Sequence, residues 1–449
     1  MDENTDVLID ISQLRIGMYI QLELSWMSHP FPVSSFRIAS ESQIEILRGL
    51  GLSQIRYNPA KSDQPPPDSQ FSPGVSHDLV GEESAAISEG VVNGAGNQNE
   101  PKPPASTESD PKQAALQLKR KLLDQQRRLD ACDQRFMAIA RQYRKLADSA
   151  EGSPAMARVE SEALVTDSVQ ELLGSTESVI SLLSEGVGER NALHPVNVMV
   201  LCLLMGKAQG LSPVAMQDLG MAALLHDIGK LRLPATVSGP FPGMTPAEET
   251  RYRSHVGESV RLGQSMGLSK GILLAIAQHH EMADGSGFPL RLRGEELCLA
   301  GRILSLVNHY ERLCNPGRSA QTMTPHEALS VMFAQQKNRF DPVELGIFIR
   351  MMGVYPPGSV VQLVNDRYAM VVSVNSSRPL RPQVIVHDPR VPKDEALVLD
   401  LETVPELGIR RSLRPSQLPR EALEYLSPRK RICYFFERAV NPAAVEAGL

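Results

Sequence analysis

A mainly α protein is predicted, an all-α helical bundle with a small N-terminal α/β module and a small β-rich C-terminal appendage, and three observations predict it. Apolar residues recur at helical spacing through residues 154–350. The pattern turns to period-two, β-branched runs after residue 355. A tract from 61 to 112, rich in Pro, Ser, Gly, Asn and Glu and almost without aromatics, sets off the N-terminal module. At 449 residues the chain has room for two to four domains.

Residues 1–60 mix short apolar runs with turn residues. "IDISQLRIGMYIQLEL" predicts one or two strands, and "SESQIEILRGLGL" a Ser-capped helix stopped by glycine. Residues 61–112 cannot bury enough apolar surface to offset ordering entropy and are expected to be a flexible linker. Residues 113–150 predict a coiled-coil-like helix. Its seam of Leu118, Leu122, Leu129, Cys132, Phe136, Ile139, Tyr143 and Leu146, interrupted by Gln125, suits either a homodimer through 113–148 or packing on the chain's own core. Within 151–350, Val159, Ala163, Leu172, Leu173, Val179, Ile180 and Leu183 keep helical spacing, as do Val196, Met199, Val200, Leu203 and Leu204. Residues 351–449 carry "GSVVQLV", "YAMVVSV" and "PQVIVHD", which read as strands.

Composition removes several classes. A net charge of −6 gives no general affinity for a nucleic-acid polymer, and the most apolar stretch, around Val196 to Met205, is too short to span a bilayer. Five scattered cysteines without a CxxC indicate neither a disulfide framework nor a zinc ribbon and suit a reducing compartment. With no signal peptide at the N-terminus, a cytoplasmic protein is expected.

The most informative feature is a ladder of metal-ligand residues: His194, the pair His226-Asp227, His255, the pair His279-His280, and Asn308. Imidazole is the commonest side-chain ligand of mid-series transition metals, and an aspartate among several can bridge two ions. A site for two divalent metals follows, with Fe or Mn suited to so His-rich a shell better than Mg. In "LLHDIGK", helical spacing puts Lys230 beside both His226 and Asp227, where an ammonium can neutralise a phosphate oxygen or a developing alkoxide. His279 and His280 end the run "GILLAIAQHHE" and face "ADGSGFP", a loop whose Gly285 and Gly287 allow close backbone approach to a ligand. Asp284 in that loop either bonds a ligating histidine or turns the chain. His29, His77, His309, His326 and His387 read as structural or surface residues.

HDIGK, then His255, then "HHEMADGSGFP" resemble the HD-GYP family of HD phosphohydrolases over roughly residues 155–345. Residues 8–58 resemble the uncharacterised domain often found ahead of HD-GYP modules. The resemblance implies an HD-type bundle and hydrolysis of cyclic di-GMP to pGpG or GMP by a di-metal-activated hydroxide. It implies that Asp227 bridges two metals, with His255, His279 and His280 completing one ion and His194, His226 and Asn308 serving the other. It also implies that Lys230 steadies the phosphate or leaving oxygen, and that Asp284, Gly285, Gly287 and Arg318 help to hold the substrate. Departures are specific. Asn308 stands where the family has an aspartate, Arg190 where trinuclear members carry a glutamate, "CNPGRSAQ" replaces the phosphate-clamping segment, and Phe288 replaces the tyrosine of GYP. The alternative is therefore a module that binds a cyclic dinucleotide or a signalling partner without turnover.

Overall fold

The computed structural model describes residues 7–22, 35–38, 41–48, 52–63, 111–174, 178–184, 190–237, 239, 243–316, 322–375, 381–404 and 406–438. Most of the 61–112 tract, and Arg318, His29 and His77, lie outside them. The chain divides into two units, one ending at Lys119 and one from Arg120 onward apart from short exchanged segments.

In the N-terminal unit β1 (Val7–Asp10), β2 (Tyr19–Gln21), β3 (Ser35–Arg37) and β4 (Gln54–Asn58) form an antiparallel sheet in the order β1-β4-β2-β3, and α1 (Glu41–Arg48) lies between β3 and β4 in sequence. Leu14, Ile20, Leu22, Ile38, Ile44, Leu47 and Ile55 are buried apolar residues of this unit. This is the small α/β module expected.

The second unit is the helical bundle. It holds α2 (Pro111–Ser149, from Arg120 on), α3 (Pro154–Leu173), β5 (Ser178–Leu182), α4 (Arg190–Ala208), α5 (Pro213–Leu225), α6 (Pro246–Arg253), α7 (His255–Met266), α8 (Lys270–Gln278), α9 (Leu299–Cys314), α10 (Pro325–Ala334) and α11 (Pro342–Met352). Ser212 caps α5, Ser269 caps α8, and Thr245 with Glu248 forms a capping box on α6. The run from Val196 to Met205 is buried almost without exception, which makes α4 the central helix rather than a membrane span. No helix among the described residues is long and apolar enough to cross a membrane.

Two expectations need correction. Val179 and Ile180, read at helical spacing, lie in β5, which is buried on nearly every position, so no period-two alternation marks it as a strand. The helical seam of α2 is divided. Cys132, Phe136, Tyr143 and Leu146 are buried in this chain's own core, while Leu118 is exposed. Gln125, taken as an interruption of the seam, donates to Ala396 O and accepts from Val398 N.

After α11 come β6 (Val360–Leu363), β7 (Tyr368–Asn375), β8 (Gln383–Val386), β9 (Val398–Asp400), β10 (Ile409–Leu413), α12 (Arg420–Leu426) and β11 (Tyr434–Arg438). With β5 they make a seven-stranded antiparallel sheet, ordered β10-β6-β7-β5-β11 with β8 and β9 branching from β7. In β11, Phe436 lies opposite Ile180 of β5, and Tyr434, Phe435 and Phe436 join the bundle's core. Tyr434 N donates to Asn197 Oδ1 at 2.9 Å and its hydroxyl meets that of Tyr310 at 2.8 Å, so the last strand is bonded to α4 and α9.

Candidate metal centre

Five histidines and one aspartate converge where α4, α5, α7, α8 and α9 meet. His194 lies on α4 and His255 opens α7, while His226 and His279 are the residues that end α5 and α8. The helix reading of HDIGK is thereby amended: α5 stops at Leu225, and residues 228–232 make a short 3₁₀ turn. Lys230 still reaches Asp227, and its Nζ donates to Oδ2.

Three of the histidines are oriented alike. Nδ1 of His226 faces Ala223 O at 2.6 Å, Nδ1 of His279 faces Ile276 O at 2.6 Å, and Nδ1 of His255 faces Tyr252 O. A carbonyl can only accept, so each Nδ1 carries the proton and each Nε2 presents a lone pair. His194 is oriented by a carboxylate instead, its Nδ1 bonding Glu311 Oε2. The free nitrogens then point at one another: His194 and His226 Nε2 are 3.1 Å apart, His255 and His279 Nε2 3.2 Å. Lone pairs that close, with no proton between them, repel unless a cation lies among them.

Asp227 divides between the two pairs. Its Oδ2 is 3.2 Å from His194 Nε2 and 3.4 Å from His226 Nε2, while Oδ1 is 3.3 Å from His255 Nε2 and 3.6 Å from His279 Nε2. Two donor sets result, His194, His226 and Asp227 in one, Asp227, His255, His279 and His280 in the other. Asp227 Oδ1 and Asn308 Oδ1 are buried without a hydrogen-bond partner. Orphaned acceptors beside clustered imidazole lone pairs are what a divalent cation satisfies, so the donors fit a metal. Asn308 itself donates from Nδ2 to His279 O at 3.3 Å.

Electrostatics agree with neutral ligands at His226, His255, His279 and His280. Burial pushes His255 and His279 down to about 4, and pushes His280 well below and His226 below the ordinary imidazole range. Burial would also depress His194 and raise Asp227, but both are overruled. Glu311 holds His194 above its ordinary value, and Lys230 with His226 holds Asp227 well below the carboxylate range.

A pH dependence follows for the metal-free protein. An unfolded histidine titrates near 6.5 and His255 and His279 near 4 in the fold, so the unfolded chain takes up protons first as pH falls. Stability from this source is complete above about pH 6.5 and is lost toward pH 4, at up to about 1.4 kcal/mol per pH unit per histidine. Urea midpoints of chelator-treated protein at pH 7.5, 5.5 and 4.5 should fall in that order. Equal midpoints would contradict neutral, buried ligands.

The loop after His280 is built on Glu281, fully buried, whose carboxylate accepts from Leu290, Arg291 and Leu292 N. Gly285 has φ +80°, and a Cβ on Gly287 would lie 2.5 Å from Glu281 Cα and 2.6 Å from His280 O, so both glycines are required by the loop's own backbone. Asp284 accepts from Ser286 N and turns the loop. Phe288 stacks on the His280 ring at 4.5 Å.

Compared with known proteins, residues 162–343 match the HD domain family model and residues 7–160 the model of a domain of unknown function, DUF3391. Residues 162–343 are an HD domain. The HD-GYP resemblance carried by HDIGK and HHEMADGSGFP is thereby upheld. The chain is 24% identical to the cyclic di-GMP phosphodiesterase PA4108 of Pseudomonas aeruginosa, over 84% of either protein. It is 32% identical to the cyclic di-GMP phosphodiesterase response regulator RpfG of Xanthomonas campestris over 31% of this chain and 37% of that one. It is 27% identical to the 3'3'-cGAMP-specific phosphodiesterase 2 of Vibrio cholerae over 37% of this chain and 33% of that one.

Sequence reasoning passed over several residues that shape the HD domain's site: Glu311, Asn197, Asn315, Tyr252 and Arg312. Glu311 is buried, and Asn315 Nδ2 donates to its Oε1 at 2.9 Å. Its only sequence signal is position, three residues after Asn308 and so on the same face of α9. Because outer partners of ligating histidines typically contribute about 10 to 100-fold in metal affinity, Glu311→Gln should weaken one metal by about that factor and spare the other. Metal titration followed by calorimetry separates the two sites. Two unchanged affinities would leave Glu311 a structural role only.

Proposed function

We propose that this chain is a metal-dependent phosphodiesterase that hydrolyses cyclic di-GMP to pGpG or GMP. One observation carries the reading: the Asp227 carboxylate offers one oxygen to each of two histidine sets whose lone pairs converge. The relatives named as cyclic dinucleotide phosphodiesterases support the substrate class.

In this reading His194, His226 and Asn308 hold one divalent ion and His255, His279 and His280 the other, with Asp227 shared; a His-rich shell favours Fe or Mn. Bound there, such ions supply Lewis acidity toward phosphoryl oxygens and activate water as a nucleophile. Lys230 fixes Asp227 and, being partly exposed, brings positive charge to the phosphate or leaving oxygen. Glu311 keeps the His194 proton on Nδ1 and its lone pair toward the centre. The loop of Asp284, Gly285 and Gly287 walls the His280 side of the substrate site.

The second reading, cyclic-dinucleotide binding without turnover, is favoured by Asn308, a neutral amide that spends its nitrogen on His279 O. The two separate when full-length protein is loaded with Mn or reduced Fe, bound metal is measured, and cyclic di-GMP is followed by chromatography. Turnover with two ions per chain supports the enzyme. One ion or less with tight, unhydrolysed ligand selects the binding module. Asn308→Asp should then raise affinity for the second ion by at least about tenfold, because it restores a charged ligand.

A further inference from the structure

Beside the metal donors stands a cation that makes no ion pair among the described residues. Arg312, half-buried on α9, donates from Nη1 to the Tyr252 hydroxyl, and the same nitrogen is 3.4 Å from His280 Nε2. Its guanidinium is 5.5 Å from the centroid of the Tyr252 ring, and Lys230 Nζ is 5.8 Å from that centroid. Two carboxylates lie near enough to act on it, and both are engaged elsewhere: Asp227 with Lys230, Glu311 with His194. Among the described residues Arg312 makes no ion pair. Taking a guanidinium out of water without an anion is costly, and a neutral phenol and a neutral imidazole do not offset it.

His280 sharpens the point. It belongs to one of the two donor sets, and its Nε2 lies 3.4 Å from both Arg312 Nη1 and the Tyr252 hydroxyl. A cation held by that donor set would repel the guanidinium, whereas an anionic oxygen bound beside the set and within reach of Arg312 would attract both. We propose that Arg312 is a phosphate-binding residue of this centre, holding a non-bridging oxygen of a phosphodiester or of its phosphate product. The proposal rests on the phosphodiesterase reading for its substrate class. It assigns a clamping role within α9 to a residue outside the HDIGK and HHEMADGSGFP motifs. Guanidinium suits the task because its fork can donate to phosphate and to Tyr252 together.

The test uses the full-length chain loaded with Mn and inorganic phosphate as the probe, with binding read by calorimetry and metal content by elemental analysis. Arg312→Gln keeps a donor for the Tyr252 hydroxyl but removes the charge, and Arg312→Lys keeps the charge but loses the fork. Charge-assisted contacts of this kind correspond to roughly 10 to 100-fold in affinity, so phosphate should bind Arg312→Gln weaker by about that factor at unchanged metal content. Arg312→Lys should fall between Gln and the parent. Phosphate affinity in Arg312→Gln within about twofold of the parent would overturn the assignment, as would a parent that binds Mn but no phosphate. Loss of Mn from Arg312→Gln would overturn it too, placing Arg312 in the support of His280. A parent that turns over no cyclic di-GMP yet loses phosphate affinity in Arg312→Gln would sink the substrate reading and leave the phosphate site standing.

Discussion

Replacing Asp227 by Asn is expected to empty the metal centre, and in the metal-free fold to relieve Oδ1 while losing the charge that pairs with Lys230. The carboxylate Oδ1 has no hydrogen-bond partner and lies 3.3 and 3.6 Å from two imidazole lone pairs, so in the absence of metal it faces acceptors rather than donors. An amide nitrogen at that position would donate to one of them, and the amide oxygen can still accept from Lys230. The conflict at Oδ1 is relieved, but the ion pair of Oδ2 with Lys230 is weakened to a neutral hydrogen bond. Metal binding moves the other way, because a shared anion becomes a neutral group at both ions at once. Lesser, outer changes cost about 10 to 100-fold per ion, so two affected ions put the loss of hydrolysis at about 10³-fold or more. Elemental analysis, thermal unfolding in chelator and cyclic di-GMP turnover read the three effects separately. Two ions per chain in Asp227→Asn would refute the bridging role.

The residues that make up this centre were largely legible because their chemistry is local. His226 and Asp227 are adjacent, His279 and His280 are adjacent, and each pair falls where a helix ends, which a short window of sequence displays. What no window displays is the pairing of distant segments. Glu311 meets His194 from 117 residues away, and Asn197 receives the amide of Tyr434 across 237. These partners are decided by how α4, α9 and β11 pack. The same limit explains β5: a strand buried on nearly every position has an apolar pattern that fits a helix equally well, and only its pairing with β7 and β11 distinguishes it. Sequence leaves Asp284 either to bond a ligating histidine or to turn the loop, and its Oδ1 accepts from Ser286 N.

Gly229, in HDIGK, should be among the least replaceable positions outside the donors themselves, and Gly257 supplies the contrast. A Cβ on Gly229 would lie 2.3 Å from Ser259 N and 2.4 Å from His255 O, and the amide of Gly229 donates to Ser259 Oγ at 2.8 Å. The turn that carries Asp227 and Lys230 thus rests directly on the backbone of the first turn of α7, with no room for a side chain. These are backbone atoms of a helix, which cannot rotate aside as a flexible side chain can. Gly229→Ala must therefore push α7 away, and with it His255. Overpacking of this kind costs about 3 kcal/mol or more, and the displacement should weaken metal binding in the set that contains His255. Gly257 lies two residues further along α7, and a Cβ there meets nothing closer than Arg261 Nη2 at 4.0 Å. Gly257→Ala should stabilise by roughly 0.5–1 kcal/mol, since alanine loses less entropy than glycine in a helix. The same methyl group, added at two points a few residues apart in space, should thus act with opposite sign. Urea midpoints of the two variants and of the parent decide it: a Gly229→Ala protein as stable as Gly257→Ala would mean that the Asp227 turn and α7 separate at little cost, and that His255 is not held in place by that contact.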